Sequence, residues 1–156
     1  MDITEVPEKL REGDETKYLL TLIDTFLKYD IEYILKNKKS ETVLANFTNF
    51  INTNGKYAKL HTDNGKEFVN QLLINYYNKS GIIMIHGRPY HPQSQGCIES
   101  FNKGIKKILE TLYLENNKNF ILSSMLLDVL YIYNNNKHSS TKFKPIELFY
   151  TIDENI

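Results

Sequence analysis

A chain of 156 residues has room for one hydrophobic core and one domain, and at 41% hydrophobic and 24% charged residues it is too apolar to stay disordered. Nineteen basic residues against nineteen acidic ones leave no net charge, so any affinity for a polyanion has to come from a local basic patch rather than from the overall field. One cysteine, Cys97, excludes a disulfide framework or a Cys-rich zinc site within the chain, no run approaches the roughly 20 apolar residues of a membrane span, and the charged stretch from Met1 to Lys17 is no signal peptide. These features predict a soluble, intracellular protein that does not bind membranes.

In chain order, Lys17 to Lys28 is apolar and β-prone, and Ile31 to Lys36 repeats that character after a break at Tyr29-Asp30, which predicts an antiparallel hairpin. Val43, Leu44, Phe47, Phe50 and Ile51 then recur at helical spacing, so a helix is expected over Ser40 to Asn52, with Ser40 as N-cap and Asn54-Gly55 as its end. A short strand from Tyr57 to His61 should deliver Thr62-Asp63-Asn64-Gly65. A helix from about Lys66 to Lys79 follows, stopped by Ser80-Gly81, and Ile82 to Ile85 reads as a buried strand. After a loop from His86 to Ser94, Ile98, Phe101, Ile105, Ile108 and Leu112 mark one face of a long helix beginning at Gln95. Asn119 to Asn135 is its neighbour, and Pro145 to Leu148 forms a last turn. Strands first, then strand and helix in alternation, then paired helices imply a mixed sheet with helices packed on it.

Two carboxylates stand out. Asp63 lies where a strand gives way to a turn, a common place for catalytic groups in mixed α/β sheets, although Asp-Asn-Gly turns also occur without function because Gly supplies positive φ. Glu99 flanks the apolar stripe of its helix, with Asn102, Lys103 and Lys106 following at spacings of three, four and seven. The plain reading of that face is a solvated one with Glu99 paired to Lys103.

Taken whole, His61-Thr62-Asp63-Asn64-Gly65-Lys66-Glu67-Phe68 and Tyr90-His91-Pro92-Gln93-Ser94-Gln95-Gly96-Cys97-Ile98-Glu99-Ser100-Phe101-Asn102-Lys103 closely resemble the two signature segments of the retroviral and Ty3/gypsy-like integrase core. Thirty-five residues separate Asp63 from Glu99, the spacing for which that family's D,D-35-E motif is named. The stretch from Asn135 to Leu148 is similar to the segment that follows the core helix in retrotransposon integrases.

The resemblance implies a ribonuclease H-like fold, a five-stranded mixed sheet flanked by helices, and a carboxylate triad of Asp2, Asp63 and Glu99. Asp24, in Leu22-Ile23-Asp24-Thr25-Phe26, falls in the second strand of that fold, so the first metal ligand is expected to be Asp2 in the first strand. The family's zinc-binding and C-terminal DNA-binding domains have no counterpart in residues 1–156. The first strand has only Met1 ahead of its aspartate, so the chain reads as an integrase core shortened at its start.

The implied chemistry is DNA integration by a polynucleotidyl transferase that uses Mg²⁺ or Mn²⁺ in a two-metal site, trimming a 3′ end and then joining it to target DNA. Tyr90, Gln93, Ser94 and Gln95 match positions on a mobile loop that touches the element's DNA, with Gly87 and Gly96 as hinges. Asn102, Lys103 and Lys106 match positions that approach the DNA backbone. DNA and further copies of the chain are the implied partners, and the nucleus is the implied location. His61 and His91 lack zinc spacing, and Tyr76, Tyr77, Tyr113, Tyr131 and Tyr133 read as packing residues. The competing expectations are a decayed or domesticated core that binds DNA or protein without catalysis, and a plain ribonuclease H-like nuclease, which the run from Tyr90 to Lys103 disfavours.

Overall fold

A computed structural model of the chain describes residues 1–11, 15–55, 57–86, 92–116 and 122–153. Three strands, β1 (Asp2–Glu5), β2 (Tyr18–Ile23) and β3 (Asp30–Leu35), form an antiparallel sheet in that order; β4 (Lys59–Thr62) and β5 (Ile83–His86) form a parallel pair. The five expected strands are present, divided three and two, and the α-amino nitrogen of Met1 donates to the His61 carbonyl at 2.7 Å, tying the start of β1 to β4.

β2 explains the layering. Its apolar run lies in the middle of the three-stranded sheet, so alternate residues face opposite sides and both sides are buried. Leu20 and Leu22 join Ile3, Leu35 and the apolar faces of α1 (Ser40–Asn54) and α2 (Gln71–Ser80), where Val43, Phe47, Leu73 and Tyr77 are fully covered. Leu19, with Val6 and Leu10, meets Phe101, Ile105 and Leu109 of α3 (Pro92–Glu115) and Leu122, Leu126 and Val129 of α4 (Leu122–Asn135). The result is a sheet between two helical layers, and truncating a central side chain such as Leu20 to alanine is worth about 2–5 kcal/mol. The short α5 (Pro145–Asp153) docks through Phe149, whose ring stacks on Tyr29 at 4.1 Å.

Several boundaries differ from those expected. Helix α1 is capped by Lys39 rather than Ser40, which is already helical; the Asn37 side chain instead accepts from Lys39 N and Thr42 Oγ1. Helix α2 begins at Gln71, five residues later than expected, because Asn70 takes the N-cap position and its side chain accepts from Leu73 N at 3.1 Å. Gly55 and Gly81 end α1 and α2 with positive φ, as the stop signals required. Strand β5 is not buried: Ile83 is 57% exposed, and the covered residue is Ile82 just before it. Asp30, placed by sequence in the hairpin break, begins β3 and is wholly buried.

Candidate nucleic-acid processing site

Asp2, on the first residue of β1, faces the α3 layer. Its Oδ2 accepts from Asn102 Nδ2 at 3.0 Å, and its Oδ1 accepts from the backbone N–H of Ile3 at 2.8 Å. Asn102 lies one helical turn beyond Glu99, on the same face of α3. The contact therefore brings the helix that carries Glu99 onto the strand that carries Asp2. The bond from Met1 to His61 does the same for β4, whose end leads into Asp63. Two hydrogen bonds thus gather three segments that lie up to 100 residues apart.

The Asp63 turn is built from within. Asp63 Oδ1 accepts from Gly65 N at 2.9 Å. Gly65 does not have the positive φ expected of it; only Gly55 and Gly81 do among the described glycines. What Gly65 supplies is space: a Cβ there would stand 2.7 Å from Glu67 Cδ and 3.0 Å from Asp63 Oδ1. Just before the turn, buried Thr62 donates through Oγ1 to the Asp63 carbonyl at 2.9 Å and sits 3.2 Å from His86 Nδ1. A hydroxyl has one proton, so with Thr62 donating to the carbonyl, His86 donates from Nδ1. β5 thereby braces the end of β4.

Glu99 is exposed, as on a solvated face, but among the described ion pairs none joins it to Lys103. Lys103 and Lys106 are also exposed, whereas Asn102 is half-buried and engaged with Asp2 rather than turned to solvent. Tyr90 lies outside the described residues, as do Gly87 and His91. Gln93, Ser94 and Gln95, expected on a loop, belong to the first turn of α3 by their backbone, and their side chains are outside the description. Gly96 is helical too and so is no loop hinge. His61 belongs to β4, and among the described residues no group of three His, Cys, Asp or Glu is arranged to hold a metal ion. Asp24 is a turn residue after β2, its Oδ1 taken by the N–H groups of Phe26 and Leu27 at 2.8 Å each.

A second set of carboxylates was not singled out in the sequence. The register pairs Asp2 with Thr21 and Thr21 with Glu32, so these three residues form a row across the sheet on the face covered by α3 and α4. Thr21 Oγ1 donates to Glu32 Oε1 at 3.4 Å, while Glu32 Oε2 and both oxygens of Asp30 are buried with no hydrogen-bond partner among the described residues. Burial holds the Glu32 carboxyl at about 7, with the Thr21 hydroxyl opposing the rise. Asp30 is raised well above the usual carboxylate range by burial first and by the neighbouring Glu32 second. Asn134 of α4 clamps the same spot, accepting from Asp30 N at 3.0 Å and donating to Asp30 O at 2.9 Å. A charged residue alternating with apolar ones in a strand normally signals a solvent-facing side, so periodicity hides this pair.

With this geometry in view, the comparisons with known proteins are specific. The family model "Integrase core domain" matches residues 1–92, more than half of the chain. The chain belongs to the integrase core domain family. The integrase match ends before Glu99, but relatives extend it. The Pro-Pol polyprotein of simian foamy virus type 1 is 33% identical over 97 residues, 62% of this chain. The retrovirus-related Pol polyprotein from transposon gypsy of Drosophila melanogaster is 27% identical over 135 residues, 86% of this chain, a stretch long enough to include both Asp63 and Glu99. The chain spans 8% and 13% of the lengths of those two polyproteins. Among solved structures, the HTLV-2 integrase catalytic core domain in complex with magnesium, in a trimeric form, superposes with a TM-score of 0.77 at 21% identity, covering 95% of this chain and 92% of that one. This match establishes the fold: the mixed α/β architecture is that of integrase catalytic cores.

Proposed function

We propose that this integrase core carries out DNA strand transfer with Asp2, Asp63 and Glu99 as its metal-holding carboxylates. The observation that carries the reading is the pair of hydrogen bonds, Asn102 to Asp2 and Met1 to His61, that brings the three carboxylate-bearing segments to one place. The donor set fits Mg²⁺ or Mn²⁺ in its chemistry: carboxylates are hard oxygen ligands, and three of them converging on one point would need cations between them. Two such ions would supply activation of an attacking oxygen and neutralisation of a leaving oxygen in an in-line displacement at phosphorus.

The chain's own residues do the positioning. Asn102 fixes one oxygen of Asp2, Gly65 N–H fixes one of Asp63, and the pair of Thr62 and His86 holds the strand end from which Asp63 projects. Lys103 and Lys106, exposed along α3 beyond Glu99, align phosphates without reading sequence. In this reading water is the nucleophile in trimming the DNA end, the freed 3′-hydroxyl is the nucleophile in joining, and the work is done on nuclear DNA. The magnesium and the multimeric form in the description of the HTLV-2 core favour the same cofactor and a homo-oligomer here.

The test is incubation of the chain with Mn²⁺ and a branched duplex that mimics an already joined end, beside Asp63→Asn and Glu99→Gln. Cleavage by the parent and by neither variant is expected. Equal behaviour of all three would replace catalysis with a non-catalytic DNA- or protein-binding role.

A further inference from the structure

A groove of about 240 Å³ opens beside the candidate site. Its wall includes Met1 and Ile98, the chain neighbours of Asp2 and Glu99, and His61, two residues before Asp63, so it adjoins all three carboxylate-bearing segments. No role described so far uses it.

Its most unusual occupant is Phe26, a rim residue with 80% of its surface exposed. An exposed aromatic on a loose loop would mean little, but this turn is locked. Asp24 accepts from two N–H groups through Oδ1, its carbonyl accepts from Lys28 N at 2.8 Å, and its own N–H donates to Tyr29 O at 2.9 Å. The backbone presenting the ring is therefore ordered in advance of any ligand, which removes part of the cost of binding. Also in the wall are the stacked rings of Phe50 and Tyr57, 5.2 Å apart. The wall also holds Lys59, exposed and in no ion pair among the described residues, and one carboxylate, Asp24, whose Oδ1 is held by the turn.

Flat apolar surfaces beside a cation that forms no ion pair among the described residues suit a flat ring that carries an anion, and the volume, below the roughly 300–1,000 Å³ of pockets for drug-sized ligands, admits one ring system. We propose that this groove receives a single unpaired nucleobase of the DNA, stacked on Phe26 with its phosphate toward Lys59. The inference deepens the strand-transfer reading and rests on it. Stacking needs no particular base, so the groove would sense an unpaired end rather than a sequence.

Binding of a duplex with a two-nucleotide single-stranded tail, compared with the same duplex blunt-ended, tests this for the parent, Phe26→Ala and Phe26→Tyr without divalent metal. The tail should improve affinity of the parent roughly 5- to 150-fold, the range that base–aromatic stacking spans. Phe26→Ala should lose that gain yet keep the parent's affinity for the blunt duplex and its melting temperature, and Phe26→Tyr should restore the gain. 2-Aminopurine in the tail should be quenched by the parent and by Phe26→Tyr only. Equal affinity of the parent for both duplexes, or an undiminished tail preference in Phe26→Ala, overturns the proposal while leaving the DNA reading intact; the first result would also fit a groove that takes a polypeptide strand. No binding of either duplex overturns the DNA reading and this inference together.

Discussion

Replacing Glu32 with glutamine should make the protein more stable at alkaline pH and leave it little changed in acid. The Glu32 carboxyl is 6% exposed, one of its oxygens has no partner among the described residues, and burial carries it from 4.5 to about 7. A carboxyl whose folded value lies above its unfolded value binds its proton more tightly when folded. Its stabilising effect is therefore complete below pH 4.5 and is lost as pH rises through 7. The displacement corresponds to roughly 3 kcal/mol at pH 8, where the folded protein must hold an ionised group that glutamine would not present. In a chain of this size that is about 6–12 °C of melting temperature. The assay is thermal unfolding of parent and variant from pH 4.5 to 8.5, taking the difference at each pH so that carboxylates remote from Glu32 cancel; Asp30, which the Glu32 charge raises, is relieved in the variant and adds to the offset in the same direction. The offset should be near zero or slightly negative in acid, where an amide replaces a neutral acid beside Thr21, and should grow in the variant's favour between pH 5 and 8. An offset independent of pH would mean that Glu32 is ionised in the fold, and the account of this buried row would fail.

Asn134→Ala should destabilise the fold by about 2–4 kcal/mol in equilibrium unfolding, because it strips two hydrogen bonds from the buried backbone of Asp30 and leaves both groups unpaired. Asn102→Ala should lower strand-transfer rate by roughly 10- to 100-fold at nearly unchanged stability, the scale of a lost hydrogen bond to a charged group; a rate equal to the parent's would remove Asn102 as the orienter of Asp2. Gly65→Ala should reduce activity, and removing the Glu67 side chain as well should not restore it, since the crowding of Asp63 Oδ1 remains; full recovery in the double variant would place the conflict in Glu67 alone. Mn²⁺ should raise the melting temperature of the parent, and Asp63→Asn should abolish that rise, read by thermal scans with and without chelator.

How much could be read beforehand depended on whether the signal was local. The hairpin of β2 and β3, the helical faces of α1 and α3, and the glycine stops at Gly55 and Gly81 all follow from short-range periodicity or from φ. That the segments carrying Asp2, Asp63 and Glu99 lie together was expected from motif resemblance, while the contacts that join those segments are long-range: Asn102 is 100 residues from Asp2, and Met1 is 60 from His61. Asn102 carried a visible clue in its spacing of three from Glu99, yet spacing alone cannot tell an amide that faces DNA from one that faces a carboxylate. Asp30 and Glu32 carried none. Their alternation with Ile31 and Tyr33 reads as one apolar and one wet face, and it is α4 that makes the second face an interior.

One member of each carboxylate set, Asp2 and Glu32, lies at either end of the same row across the sheet, in different surroundings. Asp2 has an amide donor on one oxygen and a backbone N–H on the other. Glu32, two strands away on the same face, has a hydroxyl at 3.4 Å and an oxygen with no partner among the described residues, surroundings that favour the neutral acid. Thr21 stands between them in the register with its hydroxyl committed to Glu32. If Glu32 ionised at neutral pH, a second negative charge would stand in the same row as Asp2 and add to the repulsion that a triad of carboxylates already has to overcome. With burial holding the Glu32 carboxyl at about 7, that charge appears as pH rises through 7, and the stabilising effect of the neutral acid is lost over the same range.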